Sequence, residues 1–84
     1  MVYSIRIEKQ GTKTLKKLDL ETRTRVVTAI RNLAKDPRPT GSKKMKSREG
    51  WRIRVGDYRV IYGIHDDQLL ILVTKIGHRG DVYR

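Results

Sequence analysis

Gly50-Trp51-Arg52-Ile53-Arg54-Val55-Gly56-Asp57-Tyr58-Arg59-Val60-Ile61-Tyr62 is the stretch whose reading decides the fold. Trp51 to Val55 and Tyr58 to Ile64 read as strands, rich in β-branched and aromatic residues and separated by Gly56-Asp57. Glycine at the first central position of a two-residue loop suits a type II′ turn, whose twist matches that of the paired strands. Such a turn sets the register. Val55 then lies opposite Tyr58, Arg54 opposite Arg59, Ile53 opposite Val60 and Arg52 opposite Ile61. Strand alternation puts Trp51, Ile53, Val55, Val60 and Tyr62 on one face, toward the helices. Arg52, Arg54 and Arg59 emerge together on the other.

That grouping carries a cost, because like charges directly across a strand pair destabilise by a few tenths to about 1 kcal/mol. A solvated polar face built from Thr, Glu or mixed signs would avoid it. Planar guanidinium forks grip phosphate, so a phosphate-binding face accounts for the arrangement. The alternative is a positive face that only deters edge pairing and aggregation.

Upstream, Thr40 to Gly50 is polar, basic and bounded by glycine. It reads as a loop, with room for a short edge strand near 44–46. Its cations Lys43, Lys44, Lys46 and Arg48 suit contact with backbone phosphates, although a solvated flexible loop would have the same composition. Asp36-Pro37-Arg38-Pro39 ends a helix expected from about Leu20 to Lys35. Asp19 caps that helix and Glu21 sits in its first turn. Val26, Ile30 and Leu33 mark its buried stripe, and Arg23, Arg25 and Arg31 are expected on its solvated side. Gln10 to Leu18 is a shorter helix candidate, and Val2 to Ile7 alternates as a strand.

Downstream, His65 to Gln68 forms a turn. Leu69 to Ile76 is a nearly continuous apolar run, expected to be covered on much of both faces. The order is β-α-α-β-β-β. This is an α+β fold, with two N-terminal helices packed on one face of a twisted antiparallel sheet and the other face left open.

The chain has 84 residues, which permits one domain over 1–84 and a thin core. Twenty Lys and Arg against nine Asp and Glu give a net charge of +11. Nucleic acid is therefore the first partner to consider, an acidic protein segment the second and an anionic membrane the third. No long helical segment combines a basic face with a broad apolar one. There is no cysteine, which excludes disulfides and thiolate chemistry. No His/Asp/Glu spacing suggests a metal site, and neither a Gly-rich phosphate loop nor a Ser/His/Asp set is present. The first residues lack the apolar core of a signal peptide, and no run approaches the roughly 18 apolar residues of a membrane span. The expected compartment is the cytoplasm.

Gly77-His78-Arg79-Gly80-Asp81-Val82-Tyr83-Arg84 brings together an imidazole, a guanidinium and a phenol. His78 can exchange a proton near neutral pH, Arg79 can stabilise a developing phosphorane, and Tyr83 can hydrogen-bond, transfer a proton or stack on a base. Each has a plainer alternative: a histidine at a strand end is commonly structural, and a penultimate tyrosine commonly anchors a tail. Tyr3, Trp51 and Tyr58 are expected to pack, and His65 to be a surface residue.

The hairpin from Gly50 to Tyr62, the apolar strand after it, Ile76-Gly77-His78-Arg79 and Val82-Tyr83 together resemble the RelE/ParE toxin superfamily. The resemblance covers essentially the whole chain, including Asp36-Pro37-Arg38-Pro39. It implies the toxin of a type II toxin–antitoxin pair. For RelE-type members it implies a metal-independent endoribonuclease that enters the ribosomal A site and cuts mRNA. There the 2′-hydroxyl attacks the adjacent phosphate, leaving a 2′,3′-cyclic phosphate. No cofactor is implied. Carried over by position, Arg52 and Arg54 fall where relatives often have lysines, Arg59 and Arg79 match family arginines, and Tyr83 matches the C-terminal tyrosine. His78 stands where some relatives have Lys.

Arginine effectively cannot lose its proton. Arg52 and Arg54 are therefore expected to clamp phosphate, with proton transfer left to His78 or Tyr83 and phosphorane stabilisation to Arg59 and Arg79. The implied partners are an acidic, RelB-like antitoxin in a hetero-oligomer, the ribosome and mRNA. A ParE-type gyrase toxin and a non-catalytic basic module that binds RNA or antitoxin remain alternatives.

Overall fold

The Gly56-Asp57 hairpin forms in the expected register. A computed structural model describes residues 2–45 and 50–78. In it β3 (Trp51–Val55) pairs antiparallel with β4 (Tyr58–His65), with Arg54 opposite Arg59, Arg52 opposite Ile61 and Trp51 opposite Tyr62. Gly56 has φ 60° while Asp57 keeps a negative φ, as a type II′ turn requires.

The remaining elements are β1 (Ser4–Ile7), α1 (Lys9–Lys17), α2 (Leu20–Asn32), β2 (Lys43–Lys44) and β5 (Leu70–His78). A single 3₁₀ turn, Asp66–Gln68, joins β4 to β5. The strands form one five-stranded sheet in the order β1-β5-β4-β3-β2. β2 is the short edge strand expected near 44–46, set slightly earlier. The sheet is antiparallel from β2 to β5, as expected, but β1 runs parallel to β5, so the whole sheet is mixed. The connection from β1 to β5 runs through both helices and the three intervening strands, longer than the dozen or so residues that a parallel pair demands.

Along β5 the side-chain parity changes. Ile61 pairs with Lys75 but Tyr62 pairs with Val73, so Thr74 is an extra residue in a β-bulge. Its hydroxyl donates to the Ile61 carbonyl at 3.3 Å. The bulge turns Ile76 to the same side as Ile71 and Val73, and all three are fully buried. As the apolar run implies, no residue from Leu70 to Ile76 is exposed on either face. β5 buries one face completely, and Leu70 and Leu72 on the other are only partly covered.

The core lies between that face and the helices, and comprises Leu18, Val26, Ile30, Leu33, Ile53, Val60, Tyr62, Ile71, Val73 and Ile76. α1 approaches closely because Gly11 has no side chain: a Cβ there would stand 2.8 Å from Ile7 Cγ2 and 3.3 Å from Ile76 Cδ1. Asp19 caps α2 by accepting from the Thr22 N–H at 3.4 Å. α2 stops at Asn32, earlier than the expected Lys35, because its last turn tightens. Leu33, Ala34 and Lys35 donate to the carbonyls three residues back. Arg23 is not a solvated residue. It donates to the carbonyls of Leu15 at 2.9 Å and Leu18 at 2.8 Å, closing the C-terminal end of α1 with a cation.

Candidate functional site

The open face of the sheet carries two cross-strand rows. Register aligns Lys43, Arg52, Ile61 and Lys75 across β2, β3, β4 and β5, and aligns Arg54, Arg59 and Gly77 across β3, β4 and β5. Ile61 is 4% exposed yet lies outside the main core. It is flanked in register by Arg52 and Lys75, whose alkyl stems can cover it while their charges stay in water.

Beside these rows is an open groove of about 370 Å³, lined by Thr40, Gly41, Lys43, Arg52, Ile53, Arg54 and Arg59. Among the described residues, four of the lining side chains are cations and none is a carboxylate. Arg54 is exposed, whereas Arg52 and Arg59 are half-buried and Arg59 Nε is shut off from solvent. The sheet thus holds the arginines at graded depth. Such a surface repels divalent cations and attracts phosphate, with forked donors supplied from a rigid support.

One wall of the groove is a tight turn. The Ser42 N–H donates to the Pro39 carbonyl at 2.9 Å, and Gly41, with φ 94°, takes the left-handed position of a type II turn. The residues before it are anchored on both sides. The Tyr62 hydroxyl donates to the Pro37 carbonyl at 2.8 Å. Burial pushes the Tyr62 phenol up to about 12. The Arg38 guanidinium lies 5.4 Å from the centre of the Trp51 ring and pairs with Asp66 at 3.1 Å. Asp66 also accepts from the Tyr3 hydroxyl, and these two donors, Tyr3 first, hold its carboxyl below the usual range. Proline at 37 and 39 stiffens the same segment.

Of the residues anticipated for the site, Lys43, Arg52, Arg54 and Arg59 converge here. Lys44 does not; it pairs with Trp51, on the opposite side of β2 from Lys43. His78 also lies apart from the arginines. β5 extends to include it, opposite Tyr58, and the two rings meet in a T-shaped contact with centroids 5.4 Å apart on the helix side of the sheet. Lys46, Arg48, Arg79 and Tyr83 fall outside the described residues. Sequence reasoning missed Thr40, Gly41 and Lys75. A lysine interrupting the apolar run was the available signal for Lys75, but the bulge at Thr74 decides its face.

Known proteins share this architecture. A family profile described as the ParE toxin of the type II toxin–antitoxin system parDE matches residues 5–83. Toxin RelG of Mycobacterium tuberculosis is 29% identical over 86 residues, covering 100% of this chain and 99% of that protein. A chain of the archaeal RelE–RelB complex from Pyrococcus horikoshii is 30% identical and superposes with a TM-score of 0.85, covering 98% of this chain and 100% of that one. The isolated E. coli RelE toxin, 19% identical, shares the fold with a TM-score of 0.79 over 92% of this chain and 84% of its own.

Proposed function

This chain belongs to the RelE/ParE superfamily of type II toxin–antitoxin toxins, and on that premise we propose that it is an endoribonuclease that cuts mRNA in the ribosomal A site. The observation that carries the reading is the convergence of Lys43, Arg52, Arg54 and Arg59 on one groove. A like-charged surface of this kind gains most when it meets a polyanion held against it.

In the proposed reaction the RNA 2′-oxygen bonds to the adjacent phosphorus and the bond from phosphorus to the 5′-oxygen breaks. The products are a 2′,3′-cyclic phosphate and a 5′-hydroxyl. Arg52 and Arg54 hold the phosphates, Lys43 adds a contact at the β2 edge, and Arg59 stabilises charge on the phosphorane. Resemblance adds Arg79 to that stabilisation. Guanidinium groups do not exchange protons at neutral pH, so a base must take the 2′-hydroxyl proton and an acid must supply one to the leaving oxygen. With His78 on the helix side of the sheet, we assign the base role to Tyr83 by resemblance and the acid role to an ordered water. The ribosome would supply the alignment that brings the 2′-oxygen in line.

The partner of such a toxin is an acidic, RelB-like antitoxin that folds on binding, and the site of action is the cytoplasm, where ribosomes are. Among the described residues no helix is long and apolar enough to cross a membrane.

The matching profile carries the ParE name, which favours gyrase as a rival target. Cleavage of a defined message on programmed ribosomes, run beside a gyrase-supercoiling assay, separates the two. The proposal expects A-site cuts that fall by about 10²-fold or more in Arg59→Ala, the scale of losing one transition-state donor. Poisoned gyrase with intact message would overturn it.

A further inference from the structure

β1 covers only part of its neighbour. It pairs with β5 from Leu70 to Val73, and the rest of β5 runs on past its end. There the Gln10 side chain takes the place of a strand, donating to the Ile76 carbonyl at 3.0 Å and accepting from the Ile76 N–H at 2.9 Å. Beside this uncovered end lies a second groove, of about 340 Å³, lined by Gln10, Thr14, Lys17, Leu18, Tyr58, Lys75, Ile76, Gly77 and His78.

Three features of this groove bear on its occupant. It is close in volume to the arginine groove. Among the described residues its charged lining comes from Lys17 and Lys75, and Lys9, Lys13 and Lys16 extend the positive surface along α1. It also lies one strand away from the first groove, because Gly77 is opposite Arg59 and Lys75 is opposite Ile61 in register. Adjacent strands are only about 4.8 Å apart. Gly77 adds no side chain to the strand between the two grooves. On the helix side of this strand end His78 presents an aromatic ring braced edge-on by Tyr58.

We infer that this second groove seats a nucleotide of the same RNA strand, flanking the one held by the arginines. Its phosphate lies against Lys17 and Lys75 and its base stacks on His78. The inference rests on the RNA-cleaving reading of the arginine groove. It gives His78 a binding role in place of a proton-transfer role. An acidic protein segment is the rival occupant, since it would answer the same charge. RNA is favoured because a single strand, β5, separates this groove from the arginines, a step that one nucleotide can span around the strand's uncovered edge, and because His78 offers an aromatic surface.

The test uses the whole chain and single-stranded oligoribonucleotides carrying a 2′-deoxy substitution at the scissile position. One oligonucleotide fills the arginine groove alone, and a second is longer by two nucleotides at each end. The wild type should bind the longer one more tightly. Lys17→Gln and His78→Ala should each erase that length-dependent gain, and Lys17→Gln should lower the slope of log Kd against log salt by about 0.7, the value of one single-strand phosphate contact. Arg31→Gln removes one exposed charge from α2 and controls for bulk electrostatics; it should leave the length gain in place.

In parallel, cleavage on programmed ribosomes should show KM rising in Lys17→Gln while kcat holds. Equal losses in Lys17→Gln and Arg31→Gln would overturn the inference. So would a His78→Ala variant that binds normally but loses kcat, which would return His78 to the chemistry. If Lys17→Gln weakens binding of a Glu-rich peptide and leaves the RNA length gain intact, the groove belongs to an acidic partner and the inference fails alone. Failure of the wild type both to bind RNA and to cut it on ribosomes would remove the underlying reading as well.

Discussion

Replacing Arg54 by Gln should stabilise the fold while weakening cleavage. Arg54 is exposed, lies directly opposite Arg59 and stands two residues from Arg52 on the same face. Like charges facing each other across a strand pair destabilise by up to about 1 kcal/mol. Two charges about 7 Å apart at the surface repel by about 0.6 kcal/mol in water before salt screening, and more where the alkyl stems exclude solvent. Relief of the opposing pair and of the same-strand neighbour should therefore be worth about 0.5–1 kcal/mol. For a domain of this size that corresponds to a Tm increase of about 2–8 °C.

Scanning calorimetry at low ionic strength reads the shift, and repeating it at about 0.5 M salt should shrink the gain as the charges are screened. Cleavage on programmed ribosomes should fall at the same time, through loss of a phosphate clamp. A variant with lowered Tm would refute the idea that this face is held at a cost. A variant more stable and equally active would leave the cost standing but remove its functional reason.

Two further perturbations probe the frame around the groove. Tyr62 has a phenol raised above its ordinary value, so its folded form holds the proton more tightly than the unfolded chain does. The associated stability is fully present below about pH 10 and is lost as pH rises toward about 12. The loss approaches roughly 2–3 kcal/mol. Urea denaturation from pH 8 to 11.5 should show the decline, and Tyr62→Phe should remove that component while costing about 1 kcal/mol at neutral pH for the bond to Pro37. In α1, Gly11→Ala gains up to about 1 kcal/mol of helix propensity but drives a methyl to 2.8 Å from Ile7 Cγ2, where overpacking costs about 1–3 kcal/mol. The net should be a lower Tm, and an unchanged or raised Tm would mean that α1 can lift off β1 freely.

The hairpin was legible because its physics is local. A glycine turn of two residues sets register, register sets faces, and Arg52, Arg54 and Arg59 follow without any distant contact. The capped start of α2 and its stripe of Val26, Ile30 and Leu33 are local in the same sense. What escaped depends on contacts between segments far apart in the chain. Arg23 was expected in solvent because its own helix leaves it there; only α1, folded back across it, supplies the carbonyls of Leu15 and Leu18. The parallel placement of β1 beside β5 likewise turns on long-range pairing, since alternation in Val2 to Ile7 says nothing about strand direction.

The site shows the same division. Residues on either side of one turn could be grouped by counting, but β5 reaches the arginines through a bulge, and one inserted residue reverses every later side chain. Thr74 is that residue. Without it Ile76 would face solvent and Lys75 the core, so the demand to bury Ile76 sets the bulge, and the bulge puts Lys75 beside Ile61 on the open face. Two positions after Ile76 the same parity takes His78 to the helix side, against Tyr58. The packing of one isoleucine thus separates His78 from the arginines, and any account of proton transfer on the arginine face has to begin from that separation.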